Sequence, residues 1–401
     1  MAQGTTETDR TPARETRAPV DEQAAEPSAD AERRDALVAR LFQATLGAMD
    51  LFNVYVGDRL QLYQALAAAG PLTPAELAAH TGTHVRYARE WLEQQAVTGI
   101  LEVERAALGH NAAAGASDAR RYALPAAHAE VLLHQESLSY LAYVGKFAAM
   151  LGSTLPAVLE AFRTGGGVPW SAYGADGREG QAEQNRPIFL HLLGKEWLPQ
   201  LPDLHARLRA APPAPPARVA DIACGAGWSS IAIAQAYPAA RVDGFDLDAP
   251  SVALARANAA AAGVADRVRF HVRDAADPAL AGAYDLALIC EALHDLPHPV
   301  DALRAMRALL ADGGSVLVVD ERTEEAFTAP GPDLERLFYG FSVLCCLPTG
   351  MAGGTPDRPS AATGTVLRPD TLRRYAEEAG LGRVEVLPIE HDLFRLYRLR
   401  P

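Results

Sequence analysis

The stretch VADIACGAGWSS, Val219–Ser230, decides the fold. It opens with an apolar run that reaches an acid at Asp221, passes the glycines Gly225 and Gly227, and continues in a helical pattern from Trp228. The run reads as a buried strand, and the glycines give the backbone the freedom of a tight turn. A strand, a glycine turn and the start of a helix together make a nucleotide pocket, because backbone N–H groups and the helix dipole converge there. Several nucleotides are held in this way, and the neighbouring residues must choose among them.

A dinucleotide site asks for G-x-G-x-x-G, so that the backbone can approach a pyrophosphate. Here Gly225 and Gly227 fill two positions and Ser230 the third. Asp221 would repel a pyrophosphate and attract an ammonium group. Asp246 ends the next strand, RVDGFD, nineteen residues beyond Gly227, where a carboxylate can accept both ribose hydroxyls. Leu247 follows it. Asp274, in HVRDAAD, ends the third strand and is placed to accept from an adenine amino group, with Ala275 beside it. One acid at each of three strand ends suits an ammonium, a ribose and an adenine without phosphate. The pocket is read as one for S-adenosylmethionine (SAM), with Asp221, Ala223, Gly225, Gly227, Asp246, Leu247, Asp274, Ala275 and Cys290 as its cofactor-binding set.

Working outward, YDLALICEA precedes a helix over 302–310, GSVLVVDE follows, and RVEVLPI and LFRLYRL close the chain as an antiparallel pair at the sheet edge. Apolar strands alternating with helices predict an α/β fold, a doubly wound, mostly parallel, seven-stranded Rossmann-like sheet. The stiff APPAPPA segment marks the boundary before it. The predicted organisation is a disordered tail over 1–32, poor in large apolar side chains; a mainly helical winged-helix and dimerisation domain over 33–134; a helical linker and lid over 135–210; and the SAM-binding domain over 211–401.

In the front half, Leu41, Phe42, Leu46, Met49, Phe52, Val56, Leu60 and Tyr63 recur at helical steps. Thr73, Pro74 and Glu76 have capping-box spacing, Gly82 ends that helix, and a second runs over 85–97. ILEVE and RRYALP then read as a two-stranded wing. The segment GGGVPWSAYGADGREGQAEQNRP reads as a long glycine-rich loop, a lid in which Trp170 and Tyr173 either close over a ligand or anchor the loop. Phe338, Tyr339 and Phe341 fall on a helical segment before an LPTG turn and either wall a substrate cavity or belong to a core.

The chain has 401 residues, 49% of them hydrophobic, and a net charge of −13. Such a charge disfavours general polyanion binding. Four cysteines without CxxC spacing fit a reducing, cytoplasmic setting. No apolar run is long enough to span a bilayer, and the first residues lack a signal-peptide core. Residues 71–130 carry five arginines against seven acids, which argues against a DNA-reading face, although Arg86 and Arg89 sit on the candidate recognition helix.

These motifs resemble the class I SAM-dependent methyltransferases over about 217–401, where DIACGAG corresponds to the glycine motif, Asp246 to the ribose acid, and Asp274 and Ala275 to the adenine contact. Ala223 stands where many members carry a glycine. The wing-bearing front half together with EALHDLPHP resembles the small-molecule O-methyltransferases of plant and bacterial natural-product pathways. GDRLQLY, EWLEQQAVTGIL, VPWSAYGADGREGQAEQNRP and GTGTVLRPDTL extend the likeness, over about 35–401, to a bacterial winged-helix subgroup. The resemblance implies a homodimer formed through the front domain, a small-molecule substrate and no membrane.

Methyl transfer to a hydroxyl needs alignment and removal of a proton, for which imidazole is suited. His294 follows the fourth strand at the ligand-binding edge and matches the catalytic histidine of the plant-type HDW motif, with Leu296 in place of the tryptophan. Glu321, at the end of the adjoining strand, is the candidate orienting acid. Asp295 is not assigned that role, because sequence neighbours usually point apart. Without HxxxH or a carboxylate cluster of ligand spacing, no metal is expected. Transfer to nitrogen or carbon, a SAM-sensing transcriptional regulator and a SAM fold without methyl transfer stay open as alternatives.

Overall fold

The computed structural model describes Met1 and residues 28–104, 119–210, 212–274 and 284–401. Ala275 and the tip of the wing lie outside these residues. Two compact units are distinguished, Met1–Gly47 and Ala48–Pro401.

In the first unit helix α1 (Ala29–Arg59) begins at Ala29, inside the segment expected to be unstructured. Its side chains Leu37, Val38, Leu41, Phe42 and Leu46 are exposed.

In the second unit, α2 (Leu62–Ala69), α3 (Pro74–Thr81) and α4 (Val85–Val97) precede a two-stranded wing, β1 (Glu102–Val103) and β2 (Tyr122–Ala123). The Thr73 side chain accepts from Glu76 N at 3.3 Å while the Glu76 carboxylate accepts from Thr73 N at 2.8 Å, the capping box read from the sequence. Tyr63, Leu66, Leu77, Trp91 and Leu92 form the small core of this region. Met49, Phe52, Val56 and Leu60 do not join it and are exposed. Helices α5 (Ala126–Leu133) and α6 (Tyr143–Thr164) follow.

The glycine-rich segment is not a loop for most of its length. A 3-10 turn at Trp170–Tyr173 leads into α7 (Gly174–Ile188). Its glycines serve close packing: a Cβ on Gly180 would lie 3.0 Å from the Phe147 ring, and one on Gly177 2.9 Å from the Tyr173 Cβ. Spacing alone could not distinguish this use from hinge freedom. Pro187, which has no N–H to donate, precedes a π-helical stretch at Phe189–Trp197. Helix α8 (Pro202–Leu208) completes the connection.

The rest is β3 (Arg218–Ile222), α9 (Trp228–Ala236), β4 (Arg241–Asp246), α10 (Ala249–Ala261), β5 (Val268–Val272), β6 (Tyr284–Cys290), α11 (Pro299–Leu309), β7 (Leu310–Glu321), α12 (Asp333–Phe341), α13 (Leu347–Ala352), α14 (Pro369–Glu378), β8 (Arg383–Val386) and β9 (Phe394–Arg400). The LPTG expected as a turn is helical within α13, where Pro348, which has no N–H to donate, follows a π-helical stretch at Ser342–Cys346. The seven strands run β5-β4-β3-β6-β7-β9-β8, parallel from β5 to β7, with β9 antiparallel to both β7 and β8.

Alternation along the strands divides the core between the two faces. Val219, Leu286, Leu288, Leu317 and Val319 pack on one face, and Ala220, Ile222, Ala287, Ile289, Val316 and Val318 on the other. This places Asp221 on the first face and Asp320 on the second. No helix among the described residues is long and apolar enough to cross a membrane.

Candidate active site

A cavity of about 1130 Å³ opens at the carboxyl ends of β3, β4 and β6 and extends beneath α6, α7 and α12. Its floor is the glycine turn. Ala223 and Gly225 take left-handed conformations at φ +53° and +49°, and Gly227 at +80°. A Cβ on Gly227 would lie 2.5 Å from the Phe270 ring, so this position combines a positive φ with close packing. Ala223 adopts the turn that glycine would take more easily.

Asp246 holds this turn in place. One carboxylate oxygen accepts from Gly225 N and the other from Asp248 N, both at 2.8 Å. Asp248 in turn caps α10 through Ser251 N at 3.0 Å. Each Asp246 oxygen has a second lone pair with which to accept a further hydrogen bond. Burial raises the Asp246 pKa.

Asp221 behaves differently from the open acceptor that the sequence suggested. It is 1% exposed, and its Oδ2 accepts from Ser229 Oγ at 2.5 Å and Ser230 Oγ at 2.6 Å. Burial pushes its carboxyl up to about 6, against the pull of those hydroxyls. Asp274 and the buried Cys290 line the cavity, and Leu247 is exposed close to it. A cavity with a ribose-type acceptor, a glycine turn that admits backbone approach and a buried acid, all at one sheet edge, fits an adenosyl ligand.

His294 lies at the far side of this edge and is 2% exposed. Its Nδ1 hydrogen-bonds Asp320 Oδ1 at 2.8 Å. Glu321 Oε2 approaches the same nitrogen at 3.1 Å without a hydrogen bond of its own. The acid that orients the ring is therefore Asp320, with Glu321 next to it. Asp320 was legible in principle: it falls on the buried phase of an otherwise apolar strand, and a buried carboxylate needs a partner.

Asp295 also departs from expectation, its Oδ1 lying 3.3 Å from His294 Nε2. The two residues share a 3-10 turn, Leu293–Asp295, where successive side chains do not alternate as they do along a strand. Burial disfavours the His294 imidazolium, but the charges of Glu321, Asp320 and Asp295 outweigh it and hold the pKa well above 6.5. Burial likewise opposes ionisation of Asp320, which the His294 charge and hydrogen bonds nevertheless keep below the usual range. Glu321 is pushed by burial up to about 8.

Ligand atoms of His294, Asp320 and Glu321, and of His294, Asp295 and Cys346, lie within 4.8 Å of one another. The pairing of His294 with Glu321 was read from the sequence, whereas Asp320, Asp295 and Cys346 were not placed with them.

Trp170 lines the cavity, whereas Tyr173 is buried and donates to Leu344 O at 3.0 Å, which ties it to the segment before α13. Phe338 and Phe341 line the wall, and Tyr339 instead meets Arg368 Nη2 at 3.2 Å. Gln181 and Gln184, which carry no signal in the sequence, reach from α7 to Glu291.

Comparison with known proteins identifies the family of the chain's domains. Residues 219–314 match the methyltransferase domain and residues 48–134 the Rv2258c-like winged HTH domain. The chain is 30% identical over 186 residues to the ubiquinone biosynthesis O-methyltransferase of Aromatoleum aromaticum, covering 45% of this chain and 71% of that protein. It is 35% identical over 129 residues to the trans-aconitate 2-methyltransferase of Streptomyces avermitilis, where the match spans 32% of this chain and only 44% of the relative. The mitomycin 7-O-methyltransferase MmcR shares the fold, with a TM-score of 0.64 at 21% identity over 92% of this chain and 99% of that one. The chain belongs to the class I SAM-dependent methyltransferases and carries a winged-helix domain ahead of the Rossmann-like sheet.

Proposed function

We propose that this protein transfers the methyl group of SAM to a hydroxyl oxygen of a small, mostly apolar metabolite, with His294 as general base. The observation that carries this reading is the 2.8 Å bond between His294 Nδ1 and Asp320, beside the cavity at the strand ends. Asp320 fixes the ring by accepting a hydrogen bond from Nδ1–H, so Nε2 is the nitrogen that takes the hydroxyl proton. Bound SAM supplies an electrophilic methyl carbon on a sulfonium. Asp246 is read as the ribose acceptor, Asp274 and Ala275 as the adenine side, and Ala223, Gly225, Gly227, Leu247 and Cys290 as the remaining contacts. Asp221 contributes a buried charge, and Glu321 a second acid at the base.

Tyr143, Phe147, Met150 and Trp170 give the cavity an apolar wall, which supports a substrate with rings or aliphatic bulk. The regulator reading is not adopted. Arg86 pairs with Glu90, Arg120 with Glu93 at 3.2 Å and Arg121 with Glu76 at 3.1 Å, so these arginines do not present a basic face. Exposed Leu37, Leu41, Phe42, Met49 and Phe52 along α1 support a homodimer through the front region, checked by sedimentation of Phe42→Asp. The four buried free cysteines suit a cytoplasmic setting.

Incubation with labelled SAM and a metabolite extract tests the reading, with the product's methylated atom located by NMR. An O-methyl product supports it. No transfer, or methyl on nitrogen or carbon, overturns it.

A further inference from the structure

Glu291 follows β6 directly, at the centre of the ligand-binding edge, in a left-handed conformation at φ +49°. A non-glycine residue there carries backbone strain, which the surroundings must hold in place. They do so from one side only. Oε2 accepts from Gln181 Nε2 at 3.1 Å and from Gln184 Nε2 at 2.9 Å, while Oε1 is buried with no hydrogen-bond partner.

The two glutamines belong to α7, whose position is itself fixed. Lys146, 3% exposed, meets Asp58 and Glu183 at 2.7 Å each, and Tyr140 donates to Glu183 at 3.0 Å. The carboxyl is thus held on rigid elements in the cavity lining, with one oxygen occupied and the other buried without a hydrogen-bond partner.

Its neighbours make the charge of that end one-sided. Burial and the charges of Glu321 and Asp320 raise the Glu291 carboxyl well above its ordinary value, against the pull of His294 and the Gln181 hydrogen bond, so its ionisation calls for a further cation. A negatively charged group would be repelled here. A neutral donor would satisfy Oε1 without offsetting the excess charge. A cationic nitrogen does both, and its hydrogen bond to a carboxylate is of the stronger, charge-assisted kind. The surrounding wall of Tyr143, Phe147, Met150, Trp170, Phe341 and Leu344 has no use for a charge and favours rings or aliphatic bulk.

We infer that the substrate is an apolar, ring-bearing amine whose protonated nitrogen docks on Glu291 Oε1 while its hydroxyl is held at His294. This inference rests on the methyl-transfer reading above and adds the substrate class to it.

The test uses three phenols that differ only in the charge of the tail: tyramine, 4-ethylphenol and 3-(4-hydroxyphenyl)propionate. Each is titrated by calorimetry into the full chain saturated with S-adenosylhomocysteine. Tyramine is expected to bind about tenfold tighter than either of the others, the equivalent of one charge-assisted hydrogen bond. In Glu291→Gln that preference disappears while affinity for S-adenosylhomocysteine is retained. Equal affinity for the three probes in the unmodified chain, including no measurable binding of any, overturns the inference. So does a Glu291→Gln variant that keeps the preference, or one that loses S-adenosylhomocysteine instead, which would assign the carboxylate to the cofactor. Because binding is read without turnover, failure here is distinct from failure to transfer methyl to oxygen.

Discussion

Asp320 Oδ1 lies 2.8 Å from His294 Nδ1, and both side chains are almost fully buried, at 1% and 2% exposure. The acid comes from the end of β7 and the imidazole from the 3-10 turn after β6, so two adjacent strands meet at one hydrogen bond. This pair sets both the direction in which His294 exchanges its proton and the pH at which it does so.

The pH dependence of turnover follows from that pair. Burial lowers the His294 pKa, but Glu321, Asp320 and Asp295 outweigh it and hold it above the ordinary imidazole value, so the ring gives up its proton at higher pH than a free imidazole does. Activity that needs the neutral ring therefore rises with pH, along an acid limb above 6.5. Asp320→Asn keeps an acceptor but removes a charge, so the limb moves to lower pH while kcat falls. A limb that stays in place in this variant would exclude Asp320 as the source of the shift.

Stability of the cofactor-free chain is expected to fall as pH rises. Asp221, pushed up to about 6, and Glu321, pushed up to about 8, both bind protons in the folded state that the unfolded chain has already released. Their contribution is full below the ordinary carboxylate pKa of about 4 and is lost through those two values. Thermal melts between about pH 5 and 9 should show a declining Tm, and Glu321→Gln should flatten the upper part of the decline. An unchanged slope in that variant would mean that Glu321 is not the titrating group.

Asp246→Ala removes the acceptor assigned to the ribose and also frees Gly225 N and Asp248 N. Affinity for S-adenosylhomocysteine should drop at least about tenfold, since hydrogen bonds to a charged group contribute about 1.5–3 kcal/mol. Calorimetry that returns an unchanged Kd would place the ribose elsewhere.

Gly167 tests the packing beneath the cavity. A Cβ there would overlap Ala352 N and Pro348 O, and backbone cannot swing aside as a side chain can. Gly167→Ala should destabilise the chain by about 1–3 kcal/mol, seen as a lower denaturant midpoint. A midpoint equal to that of the unmodified chain would show that the segment can shift freely.

Chelation addresses the donor clusters around His294. His294 Nδ1 is engaged by the Asp320 carboxylate at 2.8 Å, so turnover should survive dialysis against EDTA. Loss of activity that added divalent cation restores would convert this proton network into a metal centre.

The sheet was legible because its signals are local. Apolar strands, the glycine turn and an acid at each strand end are contiguous in the chain, and alternation with helices predicted a doubly wound, mostly parallel sheet. The His294 cluster was only half legible. His294 and Glu321 each stand at a strand end, but the choice of Asp320 over Glu321 depends on which face of β7 each residue occupies. Asp295 was not assigned as the orienting acid and makes no hydrogen bond to the ring, but it lies nearer His294 than sequence neighbours were expected to, because the backbone coils into a 3-10 turn. The segment around Gly177 and Gly180 was misread for another reason: glycines that permit a hinge and glycines that admit a neighbouring Phe147 ring look alike until the neighbour is known. Gln181 and Gln184 could not have been found, since nothing near them in sequence points to a carboxylate more than a hundred residues away.

The central claim is that His294 takes the proton from the substrate hydroxyl in a SAM-dependent methyl transfer. The direct measurement is turnover of labelled SAM by the unmodified chain and by His294→Ala, alongside the affinity of each for S-adenosylhomocysteine. General-base catalysis contributes about 10²–10⁴-fold, so turnover in the variant should fall by at least about a hundredfold with cofactor affinity preserved. Turnover equal to that of the unmodified chain would contradict the account.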